Sequence, residues 1–202
     1  MRKERAKDQI SVQPKITQNI IDELRARGYP VDSVADLHNK RMRYPDAIPT
    51  LLRWLPRDQD AAVKEDIVRA LSVPWARPAA ASPLIHEFVK APNDSELGLR
   101  WTIANALAVV ADDSVFDDVV ALLRNPGYGR AREMLALALA NMKTPRAAEV
   151  LVESLQDPVI AGHAVKALGK LKSKMAESAI RPFTTHPKAW IRAEAKKALK
   201  SI

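Results

Sequence analysis

The chain has 202 residues, 47% of them hydrophobic and 28% charged, with a formal net charge of +8. It holds no cysteine, which excludes disulfides, thiolate metal sites and a cysteine nucleophile. No apolar run approaches the ~18 residues of a membrane-spanning helix, and the charged start Met1-Arg2-Lys3-Glu4-Arg5 leads into no signal-peptide core.

A cytoplasmic protein with no membrane contact is therefore expected. The positive balance permits a nucleic-acid or acidic partner. The cations are dispersed, however, over Arg2 to Lys7, Lys40 to Arg43, Lys166 to Lys174 and Lys196 to Lys200, with acids between them. A solvated basic surface is the preferred reading over a dedicated nucleic-acid groove.

Residues 1–13 are expected to form a basic flexible tail, and 14–43 an N-terminal helical cap. Pro14 can open a helix in which Ile16, Ile20 and Leu24 recur every four residues, with Ile21 beside them. Gly28 stops it, Tyr29-Pro30 turns the chain, and a shorter helix near Ser33–Lys40 carries Val34 and Leu37.

From Tyr44 the chain settles into helical pairs, and 44–202 reads as one repeat domain. The first members are predicted near Asp46–Leu55, Pro83–Lys90, Val115–Arg124, Arg146–Leu155 and Ala176–Thr184. Each closes at a proline-bearing turn: Pro56, Pro92, Pro126, Pro158 and Pro187. Asp157 and Thr144 are N-cap candidates. Pro49, Pro83 and Pro182 can kink or shorten their helices.

The second members align on one leucine each: Leu71, Leu107, Leu139, Leu168 and Leu199. Eight residues earlier stand Val63, Leu99, Ala131, Ile160 and Ile191. Four earlier stand Ile67, Ile103, Leu135, Ala164 and Ala195. Three later come Pro74, Val110, Met142, Leu171 and Ile202. One before the anchor the residue is always alanine: Ala70, Ala106, Ala138, Ala167 and Ala198. A small residue beside the leucine knob lets stacked helices approach closely. No alternating strand pattern occurs, so the class is all-α.

The stretches Asp-Pro-Val-Ile-Ala-Gly-His-Ala-Val-Lys-Ala-Leu-Gly-Lys-Leu (157–171) and His-Pro-Lys-Ala-Trp-Ile-Arg-Ala-Glu-Ala-Lys-Lys-Ala-Leu (186–199) carry a family likeness. They resemble the turn and second helix of the HEAT-repeat family, in particular the short repeats also found in phycobilisome bilin lyases. The resemblance spans about 44–202. It implies a right-handed α-solenoid of about five helical hairpins behind the N-terminal cap, of a kind found in bacteria. Its second helices would line a concave surface, commonly a protein-binding one.

The family often pairs a turn aspartate with a basic residue seven before the anchor. That column here reads Lys64, Arg100, Arg132, Ala161 and Arg192. Turn acids are present as Asp58 or Asp60, as Asp94 and as Asp157, while Asn125 and His186 stand in the third and fifth turns, so the ladder is incomplete. The arginines are read mainly as braces between repeats.

The face opposite the leucine stripe is apolar in its middle, and aromatic anchors in a polar rim suit a protein partner. The candidate protein-binding residues are Trp101, Asn105, Arg130, Glu133, Met134, Val159, His163, Lys166 and Trp190. The competing reading packs Trp101 and Trp190 against neighbouring helices. Leu137 is left out, being expected to pack beside Ala138 and Leu139.

His38, His86, His163 and His186 are too dispersed for a metal motif, no phosphate-binding glycine pattern occurs, and no cofactor or catalysis is expected. Gly127-Tyr128-Gly129 reads as a turn, and Trp54 and Trp75 as packing between the cap and the first repeats. The resemblance keeps two enzyme alternatives open. One is a nucleic-acid-binding architecture like that of alkylpurine DNA glycosylases, with Trp101, Arg132 and Asp66 as the set. The other is a bilin lyase, for which no tetrapyrrole-binding residues stand out. The leading expectation is a monomeric interaction module, acting as scaffold, adaptor or inhibitor towards an unidentified protein.

Overall fold

In a computed structural model of the chain, the structure describes residues 17–57, 60–92 and 98–202. The predicted tail at 1–13, the opening residues Pro14 and Ile16, and the turn acids Asp58 and Asp94 lie outside these residues. Two helices, α1 (residues 17–26) and α2 (Asp36–Asn39), precede five hairpins. The hairpins pair α3 (Ile48–Trp54) with α4 (Ala61–Leu71), and α5 (Ala81–Lys90) with α6 (Leu99–Val110). They continue as α7 (Phe116–Arg124) with α8 (Ala131–Leu139), α9 (Arg146–Glu153) with α10 (Ala161–Leu171), and α11 (Glu177–Ile180) with α12 (Ala189–Ser201). The described residues contain no strand. The protein is an all-α solenoid in which α4, α6, α8, α10 and α12 stack in succession.

The second helices follow the leucine register closely. Leu71, Leu107, Leu139 and Leu168 are fully buried, as are Ala70, Ala106, Ala138 and Ala167, while Leu199 is half-buried. Pro74 departs from the stripe: it is exposed and opens a 3₁₀ turn, Pro74–Ala76, because proline cannot extend α4.

The alanine column sits where backbones come closest. A Cβ built on Gly169 would lie 2.7 Å from the Ala198 Cβ and 3.0 Å from its Cα. Gly169→Ala gains up to ~1 kcal/mol of helix propensity, yet it forces α10 and α12 apart at a cost of ~1–3 kcal/mol. A lower melting temperature is the expected outcome, and a raised one would show that the helices have slack there.

Four of the five first helices are shorter than predicted, while α5 starts two residues early, at Ala81. Short 3₁₀ segments replace α-helix at Pro45–Ala47, Asp113–Val115 and Ser154–Gln156. The last first helix breaks into Lys174–Ala176, α11 and Arg181–Thr185, because Pro182 has no N–H to continue the ladder. Pro49 and Pro83 fall in first turns, where that N–H is not needed. Asp157 is not the N-cap of α10, which is Ile160; it closes the preceding turn by accepting from the Val159 N–H at 2.9 Å, whereas Asp60 does cap α4, accepting from the Ala62 N–H at 2.7 Å. Thr144 does not cap: no side chain caps α9, and the Thr144 backbone N–H donates to Asp113 Oδ1 at 3.2 Å.

Ile20, Ile21, Leu24, Val34 and Leu37 of the first two helices join the same core as the repeats. Trp54 donates to Glu23 Oε2 at 3.1 Å, which ties α3 to α1, and Arg53 pairs with the same carboxylate. Trp75 meets the buried Tyr44 edge-on at 5.6 Å. The Tyr44 hydroxyl donates to the Ala70 carbonyl at 3.0 Å, and burial pushes its pKa up to about 12.

The basic column performs two different jobs. Arg132 Nη1 reaches Asp157 Oδ2 at 2.6 Å, bridging α8 to the turn before α10. Arg100 donates to the carbonyls of Phe88 and Ala91, and Arg192 to those of His186 and Pro187 at 2.8 and 2.7 Å. These last two therefore tie down the turn of their own hairpin rather than the next repeat. Lys64 pairs at 2.8 Å with Glu87 on α5 rather than with a turn aspartate.

Candidate functional site

The second helices expose one face, and it holds a cleft of about 590 Å³ spanning α6 to α12. The N-terminal halves of α8, α10 and α12 supply most of it, because positions six, five and two before each anchor point away from the leucine stripe. Eight of the nine candidate residues line it: Trp101, Arg130, Glu133, Met134, Val159, His163, Lys166 and Trp190. Asn105 stands outside. It is half-buried, and its Nδ2 donates to the Trp101 carbonyl one turn back at 2.8 Å.

The cleft is held by a chain of contacts. The Arg130 guanidinium lies 5.7 Å from the centre of the Trp101 ring, and its Nε donates to Glu133 Oε1 at 3.0 Å. The other Glu133 oxygen is 3.7 Å from His163 Nδ1, and the His163 ring lies 5.2 Å from that of Trp190. Glu133 is only 7% exposed, so a carboxylate sits in the floor between two tryptophans. Trp101 is half-buried and Trp190 is 43% exposed. Both readings hold in part: Trp101 packs against the core and the Trp190 ring lies over Gly162 of α10, while each ring keeps a solvent-exposed portion.

Pro158, Gly162, Lys188, Ile191 and Glu194 also line the cleft. Gly162 and Glu194 occupy the same face columns as the candidates and were legible from the register. Pro158 and Lys188 come from turns, which the register does not describe. Gly162 is required by the Trp190 ring, whose Cη2 would lie 2.3 Å from any Cβ at that position. Met134 is 8% exposed and contributes to the wall.

Beyond Lys166 and Glu194 the recess continues as a second trench of about 440 Å³, with Ala108, Leu137, Gly169, Lys170, Lys197, Ala198 and Ser201. Leu137 packs against the core as expected, but it is only half-buried and its open side lines the trench.

Burial pulls the His163 pKa down, and nearby Lys166 and Arg130 add to that, against the opposing pull of Glu133 and Glu194. A histidine that is harder to protonate when folded contributes stability above its unfolded pKa of ~6.5, which is lost as pH falls through the folded value. Denaturant titrations between pH 7 and pH 5 are therefore expected to show a steeper loss of stability in the wild type than in His163→Gln.

The set Trp101, Arg132 and Asp66 is not assembled. Arg132 is buried against Asp157 and the Gly129 and Leu123 carbonyls, outside the cleft that Trp101 lines. Asp66 lies on α4 with Arg69 at 3.6 Å, and burial raises its pKa. Among the described residues no group of three or more histidines or acids is placed to hold a metal. No described helix is long and apolar enough to cross a membrane.

Stacked helical hairpins with an exposed second-helix groove define a helical-repeat solenoid. A family model described as HEAT repeats matches residues 81–161. That span runs from α5 to the start of α10, so most of 157–171 and all of 186–199 lie beyond it. A designed armadillo repeat protein is similar in structure, with a TM-score of 0.51 and 15% identity over 94% of this chain and 99% of that one. No curated protein matches the chain in sequence.

Proposed function

We propose that the protein is a non-catalytic interaction module that binds a partner protein on the concave face of its second helices. The observation that carries this reading is the cleft itself. Two tryptophans stand partly open to solvent across a recess that spans four second helices, inside a rim of charged side chains. Large aromatic side chains lose solvation where they stand, and desolvating them against a partner is the usual source of interface energy. The HEAT match and the armadillo likeness support it, since such repeat surfaces are extended and serve to bind. In this reading the protein is a monomeric, cytoplasmic scaffold, adaptor or inhibitor, and 14–43 caps one end of the stack.

Affinity capture from native lysate, with and without nuclease, tests the proposal. Trp101→Ala is expected to keep the helical circular-dichroism spectrum and to weaken partner capture by ~2 kcal/mol or more, roughly thirtyfold. Nuclease should leave wild-type capture unchanged. Recovery of the same partners at the same level by both proteins overturns the reading.

A further inference from the structure

The charge lining the groove is lopsided. The cleft and the trench together carry Arg130, Lys166, Lys170, Lys188 and Lys197 against two carboxylates, Glu133 and Glu194. Arg130 and Glu133 satisfy each other at 3.0 Å. Lys170 reaches only a neutral group, Asn141 Oδ1, at 2.6 Å. Lys166, Lys188 and Lys197 are exposed and have no acidic partner within salt-bridge distance among the described residues. Lys166, Lys170 and Lys197 therefore line the trench without an acidic partner among the described residues, beside the apolar Ala108, Leu137, Gly169 and Ala198, and Lys188 lines the adjoining cleft.

We infer that the occupant of this groove is an acidic peptide lying extended along the second helices. One large aromatic or aliphatic side chain sits between Trp101 and Trp190, and carboxylates meet Lys166, Lys188 and Lys197. The inference rests on the protein-binding reading and adds the chemistry of the partner. Along α12 the lining runs from Trp190 to Ser201, about 16 Å of helix, which matches about five extended residues. An acidic peptide fits better than single-stranded nucleic acid because the trench offers methyl groups and no aromatic face on which a second base could stack.

The test is selection from a phage-displayed random-peptide library on the full chain, followed by titration of the selected peptides. The pool is expected to be enriched in Asp and Glu around one aromatic or leucine. Its affinity should fall ~10-fold or more in the double variant Lys166→Glu with Lys197→Glu, and should weaken with added salt. Both lysines are exposed, and an unchanged melting curve establishes that the double variant is folded. Peptides that depend on Trp101 yet are neutral or basic overturn the inference and leave the protein-binding reading standing. A library that yields no Trp101-dependent binder, with oligo(dT) binding that Trp101→Ala abolishes, overturns both in favour of nucleic acid.

Discussion

Leu107→Ala is expected to destabilise the protein by ~2–5 kcal/mol, a loss visible as a large drop in melting temperature. Leu107 is fully buried on α6, in the middle of the stack, with α5 on one side and α4 and α8 above and below. Removing its terminal carbons loses their transfer energy and leaves a void. The neighbouring Ile103, Ala106 and Val110 are themselves fully buried and have nowhere to move into it. The same truncation at Leu199, which is half-buried at α12, should cost markedly less. Equal effects at the two positions would contradict the assignment of α6 to the core of the stack.

Asp157→Asn is the second substitution with a large expected effect. Arg132 is 5% exposed, and its charge-bearing contact is Asp157 Oδ2 at 2.6 Å. Burial alone would raise the Asp157 pKa, but the Arg132 hydrogen bond and the Val159 and Ile160 N–H groups hold it below the usual carboxylate range. Neutralising Asp157 leaves a guanidinium without its counter-charge inside the joint between α8 and α10, at a cost of ~3 kcal/mol. The hydrogen bond from the Val159 N–H survives in the asparagine variant, so the loss reports the ion pair rather than the turn. The folded pKa is depressed, so this stability is present above the unfolded value of ~3.9 and disappears as pH falls through the folded one. The difference between wild type and Asp157→Asn should therefore shrink in acid. A difference that stays constant down to low pH would place the energy elsewhere.

The second helices were legible in the sequence because two constraints act on each of them locally. An apolar stripe must recur every three or four residues, and close stacking demands alanine beside the leucine. The first helices were less legible. A proline four residues along removes a hydrogen bond only when the helix has already begun, so Pro83 is harmless while Pro182 breaks its segment into 3₁₀ turns. The face columns brought Trp101, Glu133, His163 and Trp190 together on paper, as they lie around the cleft. Leu137 could not be read the same way. It stands at the margin of the stripe, packed against the core on one side and open to the trench on the other, a division that the register does not specify. The depth of Glu133 was likewise invisible, since it follows from Arg130 and His163 closing over it.

The Arg132–Asp157 bridge has a mechanical consequence as well as a thermodynamic one. In a stack where each repeat touches only its neighbours, the molecule bends at the joints between repeats like a leaf spring. Trp101 on α6 and Trp190 on α12 are separated by three such joints, and the bridge spans the one at their centre. The ion pair adds a charged cross-link at that central joint. An occupant gripping both rings would stiffen all three joints together. Amide exchange should then slow along α8 and α10 as a unit, including buried residues that the occupant never touches.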